Sequence, residues 1–120
     1  MHIGLFGISG SGKTFLSDCL ADRLESFSFV SASGLLKKYG GVIDYEKLQK
    51  ENVSSNQEAL ILAYELHKKN NINTLVELHG VVETPEGEFW VPQEILKNLN
   101  LDLCFYLKAN PSEIYKRRVI

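Results

Sequence analysis

Gly7-Ile8-Ser9-Gly10-Ser11-Gly12-Lys13-Thr14 decides how this sequence folds. The stretch satisfies G-x-x-x-x-G-K-[ST], the spacing of a phosphate-binding loop. Glycines let the backbone turn tightly and aim its N–H groups at phosphate oxygens. A helix opening near Lys13 adds its positive N-terminal end to the same anion site. Lys13 has the reach for β- and γ-phosphates, and the Thr14 hydroxyl suits Mg²⁺.

The flanks support this reading over a glycine-rich turn with a chance Lys-Thr. His2-Ile3-Gly4-Leu5-Phe6 is short and apolar, as a buried parallel strand should be. Phe15, Leu16, Cys19, Leu20 and Leu24 then recur at helical spacing, opposite Asp18, Asp22, Arg23 and Glu25. The loop therefore falls at a strand-to-helix junction.

The remaining chain alternates strands with helices. The spacing predicts a helix over 13–26, a strand over 27–31, and a short helix from Ser33 to Lys38 capped by Ser31 or Ser33 and stopped at Gly40-Gly41. Asp44 to Lys50 reads as another short helix. Ser55-Asn56-Gln57-Glu58 reads as a capping box opening a helix to about Lys69, with Leu60, Ala63, Tyr64 and His67 on one face. Asn73 to Leu78 is a strand, and Val81 to Val91 a hairpin turning at Pro85-Glu86-Gly87. Pro92 opens a short helix, 101–107 is a strand, and Asn110 caps a last helix with Pro111 at its first position. Alternation of this kind implies an α/β fold, a mostly parallel sheet flanked by helices, in a single domain over 1–120.

Composition excludes several classes. With 120 residues, 44% hydrophobic, 23% charged and a net charge of −2, the chain has no basic footprint for nucleic acid. No apolar run has membrane-span length, and residues 1–12 carry no basic signal-peptide region. Cys19 and Cys104 read as small buried apolar residues, which suits a reducing, cytoplasmic setting.

Glu77 ends a buried strand on the edge where the phosphate loop also ends, so its carboxylate is placed for a Mg²⁺-bound water or a substrate hydroxyl. His79 follows on the same exit. Lys116, Arg117 and Arg118 suit phosphate charge, and equally a solvated helix end. Trp90 with Phe89 and Val91 reads as a satellite core rather than a base platform. His67 reads as core and His2 as surface.

Taken together, Gly7 to Thr14, Glu77-Leu78-His79-Gly80, Thr84-Pro85-Glu86-Gly87, Pro92 and Leu107 to Ile114 leading to Arg117 resemble the archaeal-type adenylate kinases, within the P-loop nucleoside and nucleotide kinases. The resemblance covers most of the chain. It implies a three-layer P-loop fold and ATP-dependent phosphoryl transfer to a nucleotide. ATP is then the substrate held by Gly7, Ser9, Gly10, Ser11, Gly12, Lys13 and Thr14, with Phe15 adjoining. Lys13, Glu77, His79 and Arg117 become catalytic, Arg117 as the first lid arginine. Mg²⁺ is held by Thr14 and, through water, Glu77. Ser33 and Gly34 lie where such kinases admit the acceptor.

The sequence also departs from that family. Glu77 stands for an Asp, no arginine lies between Val42 and Ala59, and Ile120 falls inside or before the lid. The expectation is therefore a domain incomplete at its C-terminus, with the last strand missing and strand one's open side uncovered, so that the exposed edge invites self-association. A regulatory nucleotide-binding or ATPase module, a kinase of another small acceptor, and an inactive truncated fragment stay open as alternatives.

Overall fold

β1 (His2–Phe6) runs through the middle of a four-stranded parallel sheet. β3 (Thr74–Leu78) flanks it on one side and β6 (Leu103–Tyr106) on the other, with β2 (Ser28–Ser31) outside β3. The computed structural model describes residues 1–8, 10–40, 52–79, 81–84, 87–90 and 93–118, and only the backbone of 52–56, 81–84, 87–90, 117 and 118. The predicted helix over 44–50 and the Pro85-Glu86 turn tip lie outside the described residues.

The two inner strands carry the buried apolar side chains of the sheet, as a sheet covered on both faces requires. Ile3, Leu5, Phe6, Leu75, Val76 and Leu78 are all buried. Burial of each such side chain contributes about 1.5–3 kcal/mol. The strands divide their side chains between two layers. On one face, Phe6, Val76 and Leu78 meet Leu35 of α2 (Ala32–Tyr39), Leu60, Ala63 and Tyr64 of α3 (Asn52–Lys68), and Leu99 beyond α4 (Gln93–Asn98). On the other face, Ile3, Leu5 and Leu75 meet Leu16 and Leu20 of α1 (Lys13–Ala21), with Phe27, Phe29 and Leu107. β4 (Val81–Thr84) and β5 (Gly87–Trp90) form a separate antiparallel hairpin, with Val81 opposite Trp90. α5 (Pro111–Arg118) closes the described chain, and Asn110 Oδ1 accepts from the Ser112 N–H at 2.9 Å as its cap.

Several expectations need correction. α1 stops at Ala21 rather than residue 26, because the chain tightens into a turn there, with Arg23 N–H and Leu24 N–H both donating to the Leu20 carbonyl. α3 begins at Asn52, so Ser55 lies inside the helix and not at its cap. Strand one has no open side. It is paired with β3 and β6, and among the described residues the outer strands are β6 and β2. Cys19 and Cys104 are both exposed, since Cys19 falls on the outer side of α1 and Cys104 on an edge strand. His2 is half-buried, its Nδ1 2.9 Å from Thr74 Oγ1 and its ring edge-on to Tyr64. His67 is core as expected, 1% exposed, with Nε2 3.0 Å from Ser28 Oγ and Nδ1 3.0 Å from Tyr39 OH. The side chains of Phe89, Trp90 and Val91 lie outside the described residues.

Candidate phosphate-binding site

The register of the sheet assembles the site. Leu5 of β1 stands beside Glu77 of β3, and Glu77 beside Ser31 of β2. All three strands are parallel, so their carboxyl ends open on one edge. There β1 runs into the glycine-rich loop, β3 presents Glu77 and His79, and β2 runs into α2. This is the edge at which ligands sit in open α/β sheets.

Gly12 holds the loop-to-helix junction in the left-handed region, with φ 100°, at the N-cap of α1. Only glycine adopts that conformation without steric cost. Among the described residues no side chain caps α1, and its first N–H groups have no partner within the helix. Gly7 is confined from another direction. A Cβ there would lie 2.5 Å from Ser11 Oγ and 3.0 Å from the Leu107 carbonyl oxygen.

Lys13 is buried at 8% exposure, and its ammonium donates to the Gly7 carbonyl at 2.5 Å and the Ile8 carbonyl at 3.0 Å. Burial pulls its pKa below the ordinary lysine value, and the Glu77 carboxylate opposes that pull. Thr14 Oγ1 donates to Glu77 Oε1 at 2.9 Å, across a sequence separation of 63 residues. Loss of solvent around the ring, then the Lys13 ammonium, lower the His79 pKa, while a hydrogen bond with the Gly7 backbone raises it. Lys13, Thr14, Glu77 and His79 therefore form one cluster around the loop. Ser11 Oγ is buried there with no hydrogen-bond partner among the described residues, and such a group calls for one.

Other expected residues fall elsewhere or at the rim. Ser33 and Gly34 form the first turn of α2, where Gly34 N–H donates to Ser31 Oγ at 3.1 Å and Ser33 Oγ lies 3.3 Å from the same oxygen. They sit one strand beyond Glu77, on the same edge. Gly10 lies in the loop with φ 86°, and Phe15 points outward at 76% exposure. Ser9 lies outside the described residues. Arg117 belongs to α5 by its backbone, and its side chain is not among those described.

The AAA domain family (AAA_17) matches residues 6–120. The chain belongs to this family. The AAA domain is also similar to the adenylate kinase of Pyrococcus furiosus, 28% identical over 123 residues that cover 94% of this chain and 62% of the relative. It thus spans about three fifths of the length of that curated relative. A shikimate kinase from Acinetobacter baumannii superposes with a TM-score of 0.61 at 19% identity, covering 97% of this chain and 60% of the other. A thymidylate kinase from Ehrlichia chaffeensis superposes with a TM-score of 0.54 at 20% identity, covering 98% and 81%. The fold of the domain is that of these P-loop kinases.

The residues present fit a triphosphate and its Mg²⁺. A Cβ at Gly7 would press on Ser11 Oγ, and that buried oxygen has no hydrogen-bond partner among the described residues. Thr14 and Glu77 are hard oxygen donors in contact, the ligand type Mg²⁺ takes alongside water and phosphate. Sequence reading missed Ser31, which the register sets beside Glu77, and Gln57, which with His79, Leu60, Leu78 and Leu96 lines a recess of about 60 Å³ between α3 and the strand exit. Neither could be found from spacing, because both depend on how distant segments align.

Proposed function

We propose that this domain binds ATP at Gly7–Thr14 and transfers its γ-phosphoryl group to a nucleoside monophosphate admitted between β3 and α2. The contact between Thr14 and Glu77 carries the reading, because it joins the end of the phosphate loop to a carboxylate on the acceptor side of the same edge. The similarity to adenylate kinase supports the choice of acceptor class.

The chain's own residues have distinct tasks in this reading. The N–H groups of the loop and of the first turn of α1 hold the phosphate oxygens. Lys13 exchanges its carbonyl partners for the β- and γ-oxygens and meets the charge that grows on them. Glu77 orients Thr14 and holds a water or the acceptor hydroxyl. Bound Mg²⁺ would supply charge neutralisation between Thr14 and Glu77. His79, whose pKa burial and then the Lys13 ammonium lower, can accept or donate one hydrogen bond at the strand exit. Arg117 would add a guanidinium from α5. Catalysis of this kind is mostly positioning and electrostatics.

A second reading has one observation behind it. No arginine lies between Val42 and Ala59, so that segment offers only Lys47 and Lys50 to an acceptor phosphate. This favours an acceptor other than a nucleotide, or an ATPase module. A coupled assay with ATP, Mg²⁺ and AMP, then other nucleoside monophosphates, then shikimate, then water alone, separates the readings. Turnover with a monophosphate well above that with water supports the proposal. Turnover equal with and without every monophosphate overturns it.

A further inference from the structure

Two donors converge on one buried carbonyl at the entrance to the phosphate loop. Gly7 is buried, and the Lys13 ammonium donates to its carbonyl at 2.5 Å. The same ammonium donates at 3.0 Å to the carbonyl of Ile8, which is only half-buried. His79 brings the second donor to Gly7. β1 and β3 stay in parallel register up to the pair Phe6 and Leu78, so Gly7 and His79 leave the sheet side by side. Burial and then the Lys13 ammonium lower the His79 pKa, while the hydrogen bond with the Gly7 backbone raises it. A bond has that sign when the ring N–H donates, because donation favours the charged imidazolium. The acceptor is therefore the Gly7 carbonyl, whose two lone pairs leave room for both donors.

The two carbonyls fare differently once the ammonium turns to a triphosphate. Ile8, half-buried, can take a water in its place. Gly7 is shut away from solvent and needs a donor from the protein, since a buried carbonyl left without one is destabilising. Such an orphan would oppose nucleotide binding, because it forms only when the ammonium leaves. Glu77 cannot fill the position. An ionised carboxylate accepts and does not donate, and Glu77 Oε1 already takes the Thr14 hydroxyl at 2.9 Å.

We infer that His79 is a positioning residue of the phosphate loop, whose ring N–H keeps the Gly7 carbonyl satisfied when Lys13 leaves it for the β- and γ-phosphates. This rests on the reading of Gly7 to Thr14 as the ATP site. His79 then acts through Gly7 and Lys13, and touches neither the transferred group nor the acceptor. Two consequences separate this from a merely structural role. In the free protein Lys13 already serves the Gly7 carbonyl, so His79 is redundant there. In the bound protein that carbonyl depends on His79, so the loss of the ring is felt in nucleotide affinity.

Calorimetric titration of the full-length protein with Mg²⁺ and the nonhydrolysable analogue β,γ-imido-ATP tests this, since it reads binding without turnover. His79→Ala should raise the dissociation constant about tenfold or more, the effect of leaving one buried carbonyl unpaired. Its melting temperature without nucleotide should stay near that of the parent. His79→Asn or His79→Gln, whose amides set a donor near the place of one ring nitrogen or the other, should recover most of the affinity. An unchanged dissociation constant in His79→Ala overturns the inference, as does a loss that neither amide restores. A lowered melting temperature of the free variant with affinity intact also overturns it, and so does a raised KM for AMP with the analogue bound as tightly as before. Lys13→Ala, titrated alongside, separates this inference from the reading beneath it. Affinity unchanged in Lys13→Ala removes the ATP site and the inference together. Affinity lost in Lys13→Ala but kept in His79→Ala removes the inference alone.

Discussion

Lys13 spends its ammonium on two loop carbonyls, so its removal should separate binding from folding. Lys13→Ala is expected to lower turnover by about 10²–10³-fold, the usual cost of deleting one preorganised charge donor. Its melting temperature should stay near that of the parent, and unchanged ATP affinity by calorimetry would refute the phosphate-loop assignment. Glu77→Gln keeps the volume and one acceptor while removing the charge. It should reduce Mg²⁺-dependent turnover about tenfold or more and weaken nucleotide binding less, because the carboxylate contacts Thr14 rather than the loop N–H groups. Full turnover in that variant would leave Glu77 as a structural partner of Thr14. Gly12→Ala forces a side chain into φ 100°, at a cost of about 1–2 kcal/mol. Thermal melting should show a clear drop, together with weaker nucleotide binding. At this scale the sequence was informative wherever a residue's task depends on its neighbours along the chain. Gly12, Lys13 and Thr14 are legible from spacing. Glu77 was legible only as a strand-end carboxylate, and its bond to Thr14 needed the register of β3 on β1. Ser31 and Gln57 needed that alignment entirely.

At the level of elements, α3 shows what periodicity can and cannot supply. Its buried face of Leu60, Ala63, Tyr64 and His67 follows from helical spacing. Its start does not, because the Ser55–Glu58 pattern is a local preference and the helix continues back to Asn52. His67 ties this helix to Ser28 of β2 and Tyr39 of α2. Burial, then the charges of Lys38 and His2, hold its pKa below the ordinary 6.5. As pH falls, the unfolded chain therefore takes up the proton before the folded one does. The stability from neutral His67 is complete above 6.5 and is lost as pH drops from there through the lower folded value. Denaturant melts at pH 7.5 and 5.5 should show that loss, and His67→Gln should flatten part of it. The remainder stays, because His2 and His79 are also lowered. Leaving the hydroxyls of Ser28 and Tyr39 unsatisfied should itself cost about 1–3 kcal/mol. A pH slope identical in the variant would remove His67 from this account. β6 is where periodicity misled: Cys104 looked buried because the strand is apolar, yet an edge position overrides composition.

Over the whole molecule, strand order governs which parts open first. β1 and β3 are bonded on both sides, whereas among the described residues β2 and β6 each have a strand partner on one side. Amide hydrogen exchange, measured at low protein concentration, should find the slowest amides in β1 and β3 and faster ones in β6. Equal protection across β1 and β6 would contradict the strand order. The α/β class and its parallel sheet were legible from alternating elements. The neighbours of β1 were not, because strand order is set by crossovers that no local pattern encodes. The two layers over the sheet are also unequal. The face under α2, α3 and α4 buries Ala59, Ala63 and Tyr64 completely, while the face under α1 rests on three buried side chains beside a cavity of about 490 Å³. The two halves should therefore drift at different rates under selection. Enlarging substitutions at Leu16 or Leu20 have room to settle, whereas Ala59→Leu or Ala63→Leu would force apart layers already in contact. A library scored for soluble expression should recover bulky variants at Leu16 and Leu20 and almost none at Ala59 and Ala63, so the apolar face of α1 tolerates enlargement where that of α3 does not.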